Sequence, residues 1–375
     1  MKIAVNTRLL VPNKMDGIGR FTYETMHRIA KMHPTFEFTL IFDRKVEPST
    51  FSFPTNVKVI SIFPPARHPI LWFIWFEIQL KRFLNKHSFD LFISPEGWVP
   101  SGVNCKTLAV IHDLNFEHHP ENIIYSHRKF LRYFFPKYVQ RSSRIATVSE
   151  YSKNDIITTY GVPASKIDVV YNGANAIFKS LSEEEIRNTR NTFFYGNPYF
   201  LFVGTLHPRK NLEHLLLGFD QYKKHSKSTT QLVIVGNKKW WPSSLERIYQ
   251  TMQFKKEVIF VGRLNDEELA QVMGAAEALT YLPYFEGFGI PILEAFQAEV
   301  PVITSNVTSM PEVAKGAAML CNPKDTDAIA NAMLKMEQST ELKKELIEKG
   351  KKRATDFSWE KTAELLWASM LKTID

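Results

Sequence analysis

Two hydrophobic patterns alternate along the whole chain. Short runs rich in β-branched and aromatic residues are followed by segments whose apolar positions recur every three to four residues, which is typical of amphipathic helices. Several short runs, such as Phe200–Val203 and Leu232–Val235, are apolar at every position, as parallel strands buried on both faces are. Strands are predicted at Lys2–Asn6, Glu37–Phe42, Val57–Ile62, Asp90–Ser94, Leu108–His112, Arg144–Ser149, Asp168–Tyr171, Tyr199–Gly204, Leu232–Gly236, Val258–Gly262, Ala278–Leu282, Pro301–Ser305 and Ala318–Cys321.

The alternation of strands with helices predicts βαβ units, and therefore an α/β protein with two doubly wound parallel sheets. The boundary is predicted in the polar stretch after Asn172-Gly173, where Ser182 and Glu185 have the spacing of a helix cap. We expect a first domain over residues 1–175, a second over 176–356, and a C-terminal amphipathic helix within 357–375.

Length and composition limit the class of protein. The 375 residues suit two domains, and the two cysteines, Cys105 and Cys321, exclude a disulfide framework and a four-thiolate zinc site. Few cysteines fit a reducing compartment. The N-terminus reads as a strand rather than a signal peptide, and the longest apolar stretch, Pro69–Phe76, is too short to span a bilayer. We therefore expect a cytoplasmic protein that is soluble or peripheral on the inner face of the cell membrane.

The excess of positive charge lies in the first half of the chain. Residues 1–175 hold 22 Lys and Arg against 14 Asp and Glu, whereas residues 176–375 hold 25 of each kind. A basic half implies an anionic partner such as nucleic acid, a membrane surface or a phosphorylated acceptor. Aromatic and basic residues also interleave over residues 71–86 and 127–137, which suits a membrane interface, single-stranded nucleic acid, or core-facing helices with a basic solvated side.

Two glutamates, Glu286 and Glu294, flank seven residues that include two glycines and Pro291. A predicted strand ends near Pro283, and Pro291 suits the first turn of a helix. The free amides of that helix N-terminus would face the crevice at the strand ends, where they can bind phosphate. Two carboxylates beside an anion site need hydroxyl groups to bind, and a sugar nucleotide offers both a hexose and a ribose. The alternative is a turn followed by a core helix.

A basic loop follows the buried strand that ends near Gly204. Its adjacent Arg209 and Lys210 could clamp a diphosphate without a metal. The alternative is a solvated basic turn.

Two further motifs follow predicted strands in the first half. Gly17 and Gly19, preceded by Asp16 and followed by a helix predicted over Phe21–Met32, form half of a dinucleotide fingerprint or a simple turn. His112 ends a strand, so it either points into the crevice toward the transferred group or is a structural histidine.

Asp325-Thr326-Asp327 matches the Asp-x-Asp sequence with which some sugar transferases bind manganese. Because it follows Pro323 and precedes a predicted helix, we interpret its acids as helix caps. We therefore expect no metal and no other cofactor.

In their order, these motifs resemble the retaining family-4 glycosyltransferases of the GT-B fold. The resemblance covers nearly the whole chain and is strongest from Tyr199 to Asp327. The matching elements are Gly17-x-Gly19, His112-Asp113-Leu114, Thr147-Val148-Ser149, Asn172-Gly173, Gly204-Thr205-Leu206-His207-Pro208-Arg209-Lys210-Asn211, Val261-Gly262-Arg263, Glu286-x7-Glu294, Pro301-Val302-Ile303, Met310-Pro311-Glu312-Val313 and Phe357-Ser358-Trp359.

The resemblance implies two Rossmann-like domains facing a cleft. The first would bind the acceptor, the second would bind the nucleotide sugar, and the last helix would cross back to the first. It implies catalytic roles for His112, Glu286, Arg209 and Lys210. It implies donor-binding roles for Gly17, Gly19, Gly204, Arg263, Gly287, Phe288, Gly289, Ile290 and Glu294, and acceptor contacts for Asp16, Asp113 and Ser149.

Two positions depart from the family pattern. Thr205 stands where many relatives have an arginine, so Arg209 and Lys210 must share the clamp. Glu299 stands where relatives usually have glycine, and a left-handed backbone there would strain it.

The motifs look like those of the mannosyltransferase branch, so GDP-mannose is the expected donor. We expect retaining transfer of a hexose to a polyprenyl-diphosphate-linked or oligosaccharide acceptor in surface polysaccharide synthesis, at an anionic membrane surface and without nucleic acid. The alternatives are a UDP-sugar-dependent glucosyl or N-acetylglucosaminyl transferase, a soluble sugar-nucleotide enzyme of the same fold, a catalytically silent relative, and a nucleic-acid-binding protein.

Overall fold

The chain forms two compact units. The computed structural model describes residues 1–12, 15–47, 50–237 and 241–375. Residues 1–172 and 359–375 form one unit, the N-unit, and residues 173–358 form the other, the C-unit. Within the described ranges, no helix is long and apolar enough to cross a membrane.

The N-unit contains a seven-stranded parallel sheet with the strand order β3-β2-β1-β4-β5-β6-β7. The order reverses between β1 and β4, and ligands of such sheets bind in the crevice at that switch point. The strands are β1 (Lys2–Asn6), β2 (Glu37–Phe42), β3 (Val57–Ser61), β4 (Leu91–Ser94), β5 (Lys106–Ile111), β6 (Arg144–Thr147) and β7 (Ile167–Val169). The helices are α1 (Gly17–Met32), α2 (Pro69–Phe73), a π-helix (Ile74–Leu80), α3 (Lys81–His87), α4 (Asn115–His118), α5 (Tyr125–Arg141), α6 (Glu150–Tyr160) and, after the C-unit, α15 (Trp359–Ile374).

The C-unit contains a six-stranded parallel sheet with the order β10-β9-β8-β11-β12-β13, which reverses between β8 and β11. The strands are β8 (Tyr199–Val203), β9 (Gln231–Val235), β10 (Val258–Gly262), β11 (Ala278–Tyr281), β12 (Val302–Ser305) and β13 (Met319–Cys321). The helices are α7 (Glu183–Phe194), α8 (Leu212–His225), α9 (Ser243–Thr251), α10 (Asp266–Gly274), α11 (Ile290–Gln297), α12 (Met310–Ala314), α13 (Thr326–Gln338) and α14 (Thr340–Ala354).

The predicted fold class is confirmed, and each of the thirteen predicted strands exists with ends that differ by at most two residues. Continuously apolar runs such as β8 are buried along their whole length, as expected for the interior of a parallel sheet. The predicted cap at Ser182 is a complete capping box with Glu185.

The prediction for the start of α1 was wrong. The helix begins at Gly17 rather than Phe21, because the Asp16 carboxylate accepts a hydrogen bond from the Gly19 amide at 2.9 Å and caps it. Gly17 and Gly19 therefore lie in the first helical turn and not in a loop.

Helix α15 completes the N-unit by packing on α1 and on the central strands β4, β5 and β6. Trp359 is buried with its ring edge-on to Phe21, at 6.5 Å between centroids. The Thr362 hydroxyl donates to the Tyr171 carbonyl at 2.7 Å, and the Ser369 hydroxyl donates to Asp168 at the same distance.

The segment from α2 to α3 shows which of the aromatic residues face the core. Trp75 and Phe76, in the π-helix, are fully buried. Glu77 pairs with Arg141 at 3.1 Å and accepts a hydrogen bond from Ser101 at 2.6 Å. Trp72, Leu80 and Leu84 also belong to the core, whereas Phe73 is exposed.

Candidate active site

Three glycines end neighbouring strands of the C-unit. Gly204, Gly236 and Gly262 lie at the carboxyl ends of β8, β9 and β10, and the Gly236 amide donates to the Gly262 carbonyl at 2.8 Å. A Cβ atom at Gly236 would lie 1.9 Å from the Gly204 carbonyl oxygen, so only glycine fits there. Sequence reasoning selected Gly204 and missed Gly236, although both directly follow a continuously apolar strand.

The basic loop and the first glutamate meet in one ion cluster, which we call the 209/210/286 cluster. Arg209 Nη1 lies 3.0 Å and Lys210 Nζ 2.6 Å from Oε2 of Glu286. Lys210 Nζ also lies 2.5 Å from the Tyr281 hydroxyl. The two cations and the carboxylate, which the sequence presented as separate motifs, partly neutralise one another.

Electrostatics keep Glu286 ionised. Burial would raise the pKa of this carboxyl, but the charges of Arg209 and Lys210 outweigh burial and lower its pKa below the usual range. Burial and the nearby Glu286 charge raise the pKa of Tyr281 well above its ordinary value, so this phenol stays protonated. The cluster can therefore accept hydrogen bonds through a carboxylate and offer two cations at the same place.

The start of α11 has the form of an anion site. Gly289 caps the helix in a left-handed conformation, φ +90°, and a Cβ atom there would meet Met310 Cε at 2.8 Å. Within the described ranges, the amides of Gly289 and Ile290 donate to no protein acceptor. The Ser309 hydroxyl donates to the Glu286 carbonyl at 2.8 Å, which ties the preceding loop to this helix start.

The other predicted donor residues of the C-unit lie along the same segment or at strand ends. Gly287 and Phe288 lie between the cluster and α11, and the Phe288 ring packs on Phe357 at 5.6 Å. Glu294 lies one turn into α11 and is buried. Arg263 directly follows β10 and is exposed.

His112 directly follows β5 in the N-unit. Its Nε2 lies 2.9 Å from the Pro95 carbonyl oxygen, and since a carbonyl only accepts, Nε2 carries the proton and Nδ1 is an acceptor. Burial lowers the pKa of His112, so the ring is neutral near pH 7. A neutral imidazole with one open acceptor nitrogen can orient a hydroxyl group.

The structure places the other predicted residues of the first loop at a helix start. Asp16 caps α1, and Gly17 has open space where a side chain would begin. A Cβ atom at Gly19 would lie 2.9 Å from the Leu9 carbonyl oxygen, so this glycine permits a close backbone approach within the N-unit.

Ser149, the predicted acceptor contact, lies below the surface of the N-unit. It is fully buried, and its hydroxyl accepts from the Ser152 amide at 3.1 Å as the cap of α6. The Ser152 hydroxyl in turn donates to the His112 carbonyl at 3.4 Å. Ser149 therefore contacts the residue that is hydrogen-bonded to the His112 backbone. Asp113 accepts from the Asn115 amide at 3.0 Å, at the start of α4.

The predicted cap at Asp325 is confirmed, because its carboxylate accepts from the Ala328 amide at 2.9 Å and begins α13. Over residues 1–12, 15–47, 50–237 and 241–375, no group of three or more His, Cys, Asp or Glu side chains is arranged to hold a metal ion. The two cysteines are free thiols.

Comparison with known proteins identifies the family. The model of "Glycosyltransferase Family 4" matches residues 15–176, and that of "Glycosyl transferases group 1" matches residues 183–353. The chain is 26% identical over 361 residues to O-antigen chain mannosyltransferase B of Escherichia coli, covering 92% of this chain and 93% of that protein. It is 30% identical over 276 residues to O-antigen chain mannosyltransferase RfbU of Salmonella typhimurium, covering 72% and 71%.

A solved structure supports the fold. Sucrose-phosphate synthase from Thermosynechococcus elongatus superposes with a TM-score of 0.79 at 19% identity, covering 98% of this chain and 97% of that one. With its two Rossmann-like sheets, its two family matches and its mannosyltransferase relatives, the chain belongs to the family-4 glycosyltransferases of the GT-B fold.

Proposed function

We propose that this glycosyltransferase moves mannose from GDP-mannose, with retention, to a lipid-linked or oligosaccharide acceptor in surface polysaccharide synthesis. The observation that carries the proposal is the 209/210/286 cluster beside the open N-terminus of α11. The O-antigen mannosyltransferases among the relatives support the choice of donor and pathway class.

Each part of the C-unit site has a role toward the donor. The amides of Phe288, Gly289 and Ile290, with Arg209 and Lys210, would hold the diphosphate, because helix amides and cations both favour negative charge. Glu294 would hold the ribose hydroxyls, and Glu286 would accept hydroxyl groups of the hexose. Gly204 and Arg263 would border the nucleotide.

The same groups lower the barrier to transfer. Departure of the nucleoside diphosphate places negative charge where the cations and amides are fixed, and losing one such donor would cost about 3–4 kcal/mol. A carboxylate paired with two cations is a weak nucleophile, so Glu286 suits hydroxyl binding rather than a covalent intermediate. We infer front-face attack, in which the departing phosphate takes the acceptor's proton while His112 orients the reacting groups.

Calorimetric titration with GDP, UDP and dTDP tests the donor site. We expect selective micromolar binding of GDP that Glu294→Ala weakens at least 10-fold. Glu286→Ala should spare free GDP but reduce mannosyl transfer by about 10²–10³. Glu345→Ala, an exposed glutamate of α14 paired with Lys349, is the matched control.

Two outcomes would contradict the proposal. Selective binding of UDP would overturn the choice of donor. Equal, small effects of the two glutamate variants on binding and transfer would overturn the assigned roles.

A surface on α2 and α5 supports a membrane-bound acceptor. Ile70 is 65% exposed and Tyr133 is 62% exposed, and Phe73 and Tyr125 are exposed beside them on the same two helices. Helix α5 contains five Lys and Arg residues and no acid. We infer that these apolar and aromatic residues enter the interface of an anionic membrane while the cations contact lipid headgroups.

Sedimentation with vesicles tests this inference. We expect binding to phosphatidylcholine vesicles that contain phosphatidylglycerol, and little binding to phosphatidylcholine alone. Replacing Lys129 and Lys137, which lie over Tyr125 at 4.6 Å and over Tyr133 at 3.3 Å, with serine should weaken binding about 30-fold. The same exchange at Lys344 and Lys349 of α14 is the control, and equal losses from both pairs would contradict the assigned surface.

A further inference from the structure

Tyr281 is the last residue of β11, the strand beside which the order of the C-unit sheet reverses. It therefore lies at the carboxyl end of the sheet, where ligands of such folds bind. The residue is only 1% exposed, and a buried hydroxyl group costs free energy unless it is hydrogen-bonded. The partners of this hydroxyl group therefore indicate why a tyrosine, and not an apolar residue, ends the strand.

The hydroxyl group of Tyr281 connects two charged groups of the 209/210/286 cluster. Lys210 Nζ lies 2.5 Å away, and because an ammonium group can only donate, the phenol oxygen accepts. The phenol proton is then directed to Glu286, with which Tyr281 is also hydrogen-bonded. Since Lys210 Nζ lies 2.6 Å from Glu286 Oε2, the three side chains form a closed triangle of hydrogen bonds.

The ring of Tyr281 lies against the start of α11. A Cβ atom at Gly289, which caps this helix, would lie 3.3 Å from Tyr281 Cε1, so the ring borders the backbone of the anion site. The Tyr281 carbonyl accepts from the Thr304 hydroxyl of β12 at 2.7 Å, which holds the strand end in place. One buried side chain therefore contacts both the cluster and the helix N-terminus.

The hydroxyl group fixes geometry without adding charge. A lysine ammonium is a point charge on a flexible stem, so its position depends on the groups that accept its hydrogen bonds. With phenylalanine in place of Tyr281, Lys210 and Glu286 would still pair, but the phenol would no longer orient either of them. The charge offered to a diphosphate would stay the same, whereas the directions of the ammonium and the carboxylate would change.

We propose that Tyr281 is a positioning residue for the transfer reaction, and that its hydroxyl group holds Lys210 and Glu286 in the orientation that the transition state needs. The inference rests on the proposed function, and it adds a residue that acts through the cluster rather than on the donor itself. Tyr281→Phe should lower kcat about 10–100-fold, because a displacement of about 1 Å can cost that much. The affinity for GDP and the KM for the donor should change by less than about threefold, as for an interaction that matters only in the transition state.

Steady-state turnover and calorimetry on the full chain test the proposal. Turnover is the release of nucleoside diphosphate from GDP-mannose or UDP-glucose, with methyl α-D-mannopyranoside as the acceptor. Tyr199→Phe is the matched control, because Tyr199 is also fully buried and its hydroxyl donates to the Val272 carbonyl at 2.7 Å, at the amino end of the neighbouring strand β8. Both variants should melt at a lower temperature, whereas only Tyr281→Phe should lower kcat.

A double-mutant cycle with Lys210→Met shows whether Tyr281 acts through the cluster. Tyr281→Phe should lower kcat by a clearly smaller factor in the Lys210→Met protein than in the wild-type protein, because the triangle that the hydroxyl group orients is already broken. A merely structural role of Tyr281 would lower kcat by the same factor in both proteins.

Several results would overturn the proposal. They are an unchanged kcat in Tyr281→Phe, an equal loss of kcat in Tyr199→Phe, equal factors on the two sides of the double-mutant cycle, or no turnover of either donor by the wild-type protein. Failure of the proposed donor looks different, since the wild-type protein would then turn over UDP-glucose and not GDP-mannose, while the same ratios of kcat would still judge Tyr281.

Discussion

At the scale of single residues, the clearest strain lies at Glu299. Its backbone is left-handed, φ 57°, two residues after the end of α11, where the Val300 amide donates back to the Ala295 carbonyl at 2.9 Å. This is the helix end at which glycine is usually found, because a Cβ atom in that conformation costs about 1 kcal/mol. A left-handed backbone at Glu299 was expected to be strained, and the structure has this conformation.

Glu299→Gly is expected to stabilise the protein. Relief of the left-handed strain should raise the free energy of unfolding by about 0.5–1 kcal/mol, even though a 3.4 Å ion pair with Lys351 is lost. The melting temperature should rise by about 1–4 °C, measured by differential scanning calorimetry. Gln297→Gly, inside α11, is the control and should lower stability, while a lower melting temperature for Glu299→Gly would contradict the argument.

The lowered pKa of His112 predicts that kcat/KM falls at acidic pH. Burial lowers its pKa below 6.5, and the Pro95 carbonyl and the nearby Asp113 and Asp16 only partly offset this. The neutral ring is the hydroxyl acceptor, so kcat/KM should fall as the pH drops through this lowered pKa. Over the same window, from about pH 6.5 downward, the unfolded chain binds a proton that the folded state resists, so stability falls as well.

The measurement is the pH dependence of kcat/KM together with an NMR titration of the His112 ring. His112→Asn should show weak activity without this fall at acidic pH. A titration of the ring above pH 6.5 would contradict the expected direction.

At the scale of elements, the three glycine strand ends fix the position of the basic loop. Gly204 and Gly236 touch, and the loop from Gly204 reaches the 209/210/286 cluster within six residues. A side chain at Gly236, which follows β9, would therefore displace the segment that carries Arg209 and Lys210.

Gly236→Ala is expected to damage the donor site more than the fold. Its Cβ atom would overlap the Gly204 carbonyl, so we expect a loss of stability of about 1–3 kcal/mol and at least a 10-fold loss of GDP affinity. Gly316→Ala is the control, because that glycine is also left-handed, φ +82°, but has open space around it. Equal GDP affinities in the two variants, measured by calorimetry, would show that the contact does not position the loop.

Elements and ion clusters differ in how far the sequence predicts them. Buried parallel strands such as β8 and β9 contain continuously apolar runs, so they could be located from hydrophobicity alone. The start of α1 was missed because two glycines favour a loop, and only the contact between Asp16 and Gly19 makes them helical. The pairing of Glu286 with Arg209 and Lys210 joins residues 76 or more positions apart, and no local spacing encodes such a contact. The sequence alone therefore suggests three separate charged groups, whereas in the structure Arg209, Lys210 and Glu286 form one partly neutralised cluster.

At the scale of the whole molecule, the two units differ in which parts of the chain form them. The C-unit is one continuous stretch, whereas the N-unit is built from residues 1–172 and from α15 at the other end of the chain. Helix α15 covers α1 and the central strands, so the N-unit core is incomplete without it.

Leu366→Ala should show how strongly the N-unit depends on α15. Leu366 is 1% exposed, whereas its neighbour Leu365 is 41% exposed and provides a matched control. We expect Leu366→Ala to cost about 2–5 kcal/mol and Leu365→Ala less than about 0.5 kcal/mol. Urea unfolding with hydrogen exchange at β5 and β6 measures the effect, and similar values for the two variants would contradict the packing described.

The order of these segments along the chain also determines when each unit is complete during synthesis. The ribosome releases residues 1–172 long before α15, and the whole C-unit is made in between, which takes roughly 10–40 s at ordinary translation rates. For that interval the surface of α1 and the central strands that α15 will cover stays open to water and to chaperones. The C-unit can therefore mature first, although its first residue is made after the N-unit's seven strands are complete.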